Sequence, residues 1–224
     1  KQVSIMVFSI EFLGALILFI EFIRKMPIKD AIGYSIFHAI SAFCNAGFAL
    51  FSNNLEGYQS SLLINLCVTT LIILGGLGFA AIIDIYNVFK GVRRKISNST
   101  HIAINMTIIL IILGTVLTFV LEYSNSLTLG SLSLKNKILA SYFQSITLRT
   151  AGFQTINLSG ITLPTIIIYI FLMFIGASPG STGGGLKTTT LGVLLLGITN
   201  SITGREDIQY RRRRISWTTF NKAC

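Results

Sequence analysis

Residues 143–156 read FQSITLRTAGFQTI, and residues 37–50 read FHAISAFCNAGFAL. The two segments share a pattern. Phe37-x-x-Ile40-Ser41 matches Phe143-x-x-Ile146-Thr147, and Ala46-Gly47-Phe48 matches Ala151-Gly152-Phe153, with one extra residue in the first copy before its glycine. An internal repeat fixes the architecture and so comes before any single residue. Each copy, within 30–51 and 137–156, holds an apolar run of only about a dozen residues. That is short of the ~20 needed to cross a bilayer and suits a re-entrant or interfacial helix.

Four longer apolar stretches flank these segments: roughly Val3–Ile23, Leu62–Phe89, Ile102–Leu121 and Leu163–Asn200. Each is long enough to span, so the repeating unit reads as span, short helix, glycine turn, span. Composition agrees. Hydrophobic residues make up 52% of the chain and charged ones 12%, with mean hydropathy +0.72, whereas soluble domains carry about 25% charged residues. The fold class is all-α, polytopic and membrane-embedded, which places the chain as a multi-pass protein of the cell membrane. Residues 1–95 form one unit, and 96–214 form a second unit whose last span is broken by glycines. RRKIS at 93–97 recurs as RRRIS at 212–216, and residues 215–224 read as the truncated start of a further unit, which makes the chain a fragment.

The net charge of +10 would suggest nucleic acid in a soluble protein. Here the basic residues gather between apolar spans, the pattern of the positive-inside rule, and nucleic acid is set aside. Lys90, Arg93, Arg94 and Lys95 follow the second span, and Arg205 and Arg211 to Arg214 follow the fourth. Both loops fall on one face, read as cytoplasmic, so the short helices enter from outside; Lys29, Lys135 and Lys137 are diluted over longer outer segments. The first span ends at Arg24-Lys25 rather than in small residues, unlike a cleavable signal. Cys44, Cys67 and Cys224 form no close pair and no metal spacing.

Non-helical backbone is tolerated at membrane depth only where protein buries it or where it lines a watery cavity. The turns Asn45-Ala46-Gly47 and Thr150-Ala151-Gly152 can aim carbonyl oxygens into such a cavity, where they replace the hydration shell of a cation. Glycine permits the φ values a side chain opposes, and the preceding short helix points its partially negative C-terminal end the same way. The competing reading is a buried loop that caps a bundle.

A third stretch, GASPGSTGGGLKTTT at 176–190, interrupts the last span. Gly180 and Gly185 have the separation of a phosphate-binding loop, but Leu186 follows the second glycine and Lys187 comes one place late; no strand precedes it. Gly176-Ala177-Ser178 resembles the start of an intramembrane serine protease pattern, but Pro179 replaces its last glycine and neither His38 nor His101 offers an obvious base. A membrane enzyme therefore lacks a nucleophile–base pair or a metal cluster. A non-conducting membrane scaffold is the other competitor.

Together the segments FHAISAFCNAGFAL, FQSITLRTAGFQTI and GASPGSTGGGLKTTT resemble the membrane subunit of Ktr-type potassium transporters, in the wider Trk/Ktr/HKT superfamily. The likeness covers essentially the whole chain. That family has four units around one pore, and this chain is similar to the second and third. The resemblance implies potassium uptake with no covalent chemistry and no cofactor, with K+ held by the backbone carbonyls of a filter at Asn45, Ala46, Gly47, Thr150, Ala151 and Gly152. It also implies an intramembrane gate at Gly180, Ser181, Thr182, Gly183, Gly184, Gly185 and Lys187. It implies a homodimer in which each protomer holds its own pore, controlled by a separate cytoplasmic ring of nucleotide-binding subunits that the basic loops could contact. Sodium dependence stays open.

Around this frame several residues carry two readings. The triple glycine is a gate or a closely packed helix element. Lys187 repels cations or anchors the loop to an acid. Glu11, mid-span, is a functional acid or a paired structural one. Arg149 is expected to turn away from the filter and brace the loop, against an acid. Glu21, Asp84 and Glu122 read as interfacial, and Gly75-Gly76-x-Gly78 as close helix packing rather than a second hinge.

Overall fold

The computed structural model describes residues 2–202, 209–210 and 213–214. Arg205, Arg211, Arg212 and the segment 215–224 lie outside the described residues. Eight α-helices are found among those described: α1 (Gln2–Phe22), α2 (Ile28–Phe43), α3 (Leu62–Leu77), α4 (Phe79–Phe89), α5 (Asn98–Glu122), α6 (Leu134–Thr147), α7 (Leu163–Phe174) and α8 (Thr188–Ile202). A pair of two-residue antiparallel strands, β1 (Gln209–Tyr210) and β2 (Arg213–Arg214), follows. The all-α membrane architecture read from the sequence holds. The runs α1, α2, α3–α4 and α5, α6, α7–α8 are called the first and the second unit.

The helices begin where local chemistry allows. Pro27 precedes α2, where its missing N–H costs nothing. The hydroxyls of Ser61 and Ser97 accept the N–H of Ile64 and Thr100 at the starts of α3 and α5, satisfying donors a helix start leaves orphaned. The long helices α1 and α5 are apolar all round. Phe8, Phe12 and Leu13 on α1 and Ile109, Ile112 and Val120 on α5 are exposed, as lipid-facing side chains must be in a membrane.

One core joins the two units. Leu18 and Phe22 of α1, Phe43 of α2, and Ile64, Val68 and Leu71 of α3 pack with Phe143 and Ile146 of α6 and with Ala151 and Phe153 beyond it. Each unit uses a glycine on its first helix to draw a neighbour in. A Cβ on Gly14 would lie 2.7 Å from Leu71 Cδ1, and one on Gly114 would overlap Ser145 Oγ. Small residues at helix contacts are how membrane helices pack closely.

In the second unit residues 175–187 separate α7 from α8, and the first unit also carries a break. Leu62–Phe89 is not one straight helix: α3 and α4 meet at Gly78 with a 99° bend. Gly78 has φ 87° and ψ 146°, a region that is essentially glycine's alone. Close packing is also present, since a Cβ on Gly75 would overlap the Phe43 carbonyl oxygen. The motif expected to do one job does two.

Each unit also ties the end of its first helix to the start of a later one through a glutamate. Glu21 at the end of α1 accepts the hydroxyl of Ser61, the N-cap of α3 (3.1 Å). Glu122 at the end of α5 accepts the hydroxyl of Thr162, the N-cap of α7 (2.7 Å). Glu122 is fully buried and also accepts from Thr162 N, Thr165 Oγ1, Thr128 Oγ1 and Asn125 Nδ2. Asp84, expected near a span end, is likewise buried and accepts from Arg93, Ser97 N and Thr100.

Candidate functional site

The site is built from the two turns that end α2 and α6 and from the loop between α7 and α8. The turns are equivalent in detail. Asn45 and Gly47 have φ of 51° and 72°, and Thr150 and Gly152 have 69° and 85°, so each triplet alternates left-handed and ordinary backbone. The Ala46 N–H donates to Ser41 O, and the Ala151 N–H to Thr147 O, both at 2.9 Å. The first copy's extra residue is absorbed in that slightly wider ring. Ser41 Oγ then donates to Phe48 O (2.8 Å) and Thr147 Oγ1 to Phe153 O (2.7 Å). The paired Ser/Thr of the sequence repeat is thus a clamp on the chain leaving each turn.

These closures leave six carbonyls over. Among the described residues, no hydrogen bond reaches the carbonyl oxygen of Asn45, Ala46, Gly47, Thr150, Ala151 or Gly152. The turns also touch. A Cβ on Gly152 would lie 3.3 Å from Gly47 Cα, and one on Gly47 would lie 2.7 Å from Gly152 Cα and overlap the Ala151 carbonyl. Two backbones approach here without side chains between them.

Residues outside the turns fix their position. His38 is fully buried; its Nδ1 lies 2.7 Å from Tyr34 O, and its Nε2 accepts the Leu50 N–H at 3.3 Å. Gln154 ties the second turn to the first unit, donating from its N–H to Asn54 Oδ1 and from Nε2 to Glu56 Oε1, while its carbonyl accepts the Leu55 N–H. Arg149 is buried and donates to Thr107 Oγ1 on α5 (3.2 Å). It does brace the loop, but its partner is a hydroxyl; no acid pairs with it among the described residues.

The 175–187 loop lies directly against both turns. A parallel bridge between Ile175 and Leu186 closes its base, with Gly176 N donating to Leu186 O and Leu186 N to Phe174 O. A Cβ on Gly183 would lie 2.5 Å from Thr150 Oγ1 and 3.1 Å from Asn45 Nδ2. The Asn45 amide and the Thr150 hydroxyl are both buried without a hydrogen-bond partner among the described residues. Gly183 therefore sits where two orphaned polar side chains converge.

The loop is held by backbone on the first unit. Ser178 N donates to Gly76 O (2.9 Å) and Thr182 N to Gly75 O (3.3 Å), while Phe79 N donates back to Gly180 O (3.0 Å). Thr182 Oγ1 donates to Phe43 O, the last carbonyl of α2 (3.0 Å). Within the loop, Ser181 Oγ donates to Ser178 O, Ser178 and Thr188 share a hydroxyl bond, and Lys187 Nζ donates to Gly183 O (3.0 Å). Lys187 thus anchors to a carbonyl of its own loop rather than to an acid. Glu11 stands apart, half-buried in a groove of α1 and α2, and makes no hydrogen bond or ion pair among the described residues.

The two turns meet at Gly47 and Gly152, and the loop meets them at Gly183; Glu11 on α1 lies apart from all three. Sequence reading missed the α3–α4 break, His38 and the glutamate caps. The signal for the caps was present, since a glutamate ends the first helix of each unit, but two isolated acids do not announce a repeat.

Comparison with known proteins extends the picture. The profile of the TrkH cation transport protein family matches residues 1–223. The Ktr system potassium uptake protein B of Bacillus subtilis is 40% identical over 216 residues, covering 96% of this chain and 48% of that protein. The potassium/sodium uptake protein NtpJ of Enterococcus hirae is 40% identical over 187 residues, 84% of this chain and 41% of that protein. The crystal structure of the potassium transporter TrkH from Vibrio parahaemolyticus superposes with a TM-score of 0.72 at 21% identity, over 96% of this chain and 45% of that one. The chain spans about half the length of the relatives it matches.

Proposed function

The chain belongs to the TrkH family of cation transport proteins, and on that premise we propose that it supplies half of a potassium-conducting pore. The observation that carries this reading is the pair of equivalent turns, each with free carbonyls, in backbone contact at Gly47 and Gly152. Carbonyl oxygens so placed replace the water around a dehydrating cation. Two turns cannot ring an ion, so the remaining carbonyls come from other units of the full protein. The relative from Enterococcus is named for sodium as well as potassium, which makes the choice between the two the property to measure.

In this reading residues 180–187 are the gate. Gly183 packs beneath the filter, and Thr182 ties the loop to the α2 carbonyl next to it. A homodimer and a cytoplasmic nucleotide-binding ring complete the assembly, with the 90–95 loop as one contact of the ring; sodium coupling belongs to the same proposal. A scaffold without conduction would have no use for carbonyls left unbonded at a backbone contact.

The test is rubidium or potassium flux, with sodium as competitor, through full-length protein in reconstituted vesicles. Gly152→Ala is expected to reduce potassium flux or its preference over sodium. Full flux with unchanged preference in that variant would remove the filter assignment. Deletion of Gly183 to Gly185 is expected to raise flux per folded protein; a well-folded deletion with unchanged or lower flux would reduce the loop to a packing element.

A further inference from the structure

We propose that the α3–α4 break is the receptor that holds the 176–187 loop shut, and that the loop is released when α3 and α4 join into one straight helix. This rests on the reading of the loop as a gate, and it adds a moving part in the other unit. Gly78 becomes the positioning residue of that part.

The argument is one of hydrogen-bond partners. In a straight helix each N–H donates to the carbonyl four residues back, so Phe79 N would donate to Gly75 O and Ala80 N to Gly76 O. In the bent structure these same groups hold the loop. Gly75 O accepts from Thr182 N, Gly76 O accepts from Ser178 N, and Phe79 N donates to Gly180 O. The two arrangements are exclusive at Phe79, whose single N–H serves one acceptor at a time, and they draw on the same carbonyls at Gly75 and Gly76. Straightening would discharge the loop's three backbone anchors while leaving none of the helix groups unsatisfied. The bend thus gives up its loop without baring α3 or α4, and the loop groups set free, Ser178 N, Thr182 N and Gly180 O, are tolerated at membrane depth only where they line the watery pore.

Two further observations fit. Gly78 is at φ 87°, and a Cβ there would lie 2.5 Å from Pro179 O, so the bend and the seated loop both require a residue without a side chain. Beside the bend lies a cavity of about 450 Å³, lined by Leu77, Ala81, Asp84, Ser178, Pro179 and Thr189. Space rather than packed side chains separates α4 from the loop there. Helix α4 is tied through the buried Asp84 to Arg93, Ser97 and Thr100, so a displacement of the 90–97 segment would act on the bend directly.

The experiment compares three full-length proteins in vesicles by rubidium flux per folded protein. Gly78→Ala favours the straight helix by the alanine preference over glycine alone, equivalent to about a fivefold shift in the bend equilibrium, before the strain at positive φ is counted. It is expected to raise maximal flux several-fold, with the half-saturating concentration and the potassium-over-sodium preference unchanged. Spin labels at Leu66 and Phe89 should move apart in the same variant. The deletion of Gly183 to Gly185 is the control for the gate itself. If the deletion raises flux and a folded Gly78→Ala does not, the receptor proposal is overturned and the gate stands. If neither raises flux, the gate reading falls and takes the proposal with it. Should Gly78→Ala fail to fold, a Phe79→Cys, Gly180→Cys pair in a background with the native cysteines replaced pins the bend to the loop. Oxidation is expected to abolish flux and reduction to restore it; equal flux in the oxidised, cross-linked protein would overturn the proposal.

Discussion

The two units interrupt their second helix by unequal means. In the first, a single glycine turns the chain through 99°; in the second, a loop from 175 to 187 intervenes. A break in a helix leaves backbone groups that need partners, and the two breaks find them differently. The loop closes its own base, with Gly176, Leu186 and Phe174 exchanging bonds. The α3–α4 break has no such internal closure, and the groups freed at Gly75, Gly76 and Phe79 are met by the second unit. The smaller break is made complete by the larger one, so units alike in sequence are not alike in autonomy.

That difference can be pressed hardest at the turns. The contact between Gly47 and Gly152 is lopsided, because a side chain on Gly47 would strike the Ala151 carbonyl while one on Gly152 would meet only Gly47 Cα at 3.3 Å. Gly47→Ala should therefore lose most potassium flux, and Gly152→Ala a smaller share, when both are assayed side by side. Equal losses would mean that strain at positive φ, common to both, outweighs the contact.

The glutamate caps give the next largest contrast. Glu122 is fully buried under five hydrogen-bond donations, whereas Glu21 is partly exposed and accepts from Ser61 and from the exposed guanidinium of Arg24 at 3.4 Å. A hydrogen bond to a charged group contributes about 1.5–3 kcal/mol, and an exposed pair about 0.2–1 kcal/mol. Glu122→Ala should lower stability by at least about 3 kcal/mol, and Glu21→Ala, which loses one part-buried bond from Ser61 and an exposed ion pair, by about 1–2 kcal/mol, in denaturant titrations of detergent-solubilised protein. A comparable loss at both positions would show that the units share one design after all.

Within the loop, adjacent glycines separate shape from freedom. A Cβ on Gly183 would press on Thr150, Ala177 and Asn45, whereas one on Gly184 meets nothing within 4 Å. Gly183→Ala should change flux, and Gly184→Ala should leave flux unaltered and stability within about 0.5 kcal/mol. The paired clamps fall between these two: Ser41→Ala and Thr147→Val each remove one hydroxyl bond and should cost about 1 kcal/mol. A thermal shift assay reads both, and a much larger loss at Thr147 would point to a second-unit turn that carries more of the load.

The sequence showed the repeat because its signal is redundant: an aromatic, a branched apolar residue, a hydroxyl and a glycine recur in order. It showed the broken last span because glycine and proline cluster there. It hid the α3–α4 break because Gly75, Gly76 and Gly78 have the composition of close packing, and Gly75 does pack that way; only φ at Gly78 distinguishes a hinge from a contact. The partners of Arg149 and Lys187 were misread for a related reason. Charge suggested acids, but inside a bundle rich in free carbonyls and hydroxyls those groups served as acceptors. Which carbonyl the loop hangs from could not be read locally, since Thr182 and Phe43 lie 139 residues apart in the chain.

That separation has a consequence for biogenesis. A chain inserted from its N-terminus places Gly75, Gly76 and Phe79 in the bilayer long before the residues at 178–182 have been made. Until then the bend has no partners, and a continuous α3–α4 helix is the arrangement that leaves no peptide group bare. The nascent first unit is thus expected to enter the membrane straight and to fold over only when the last span delivers its loop. The bend would then mark the completion of assembly, and a ribosome-stalled intermediate ending before residue 176 should show the longer α3–α4 distance.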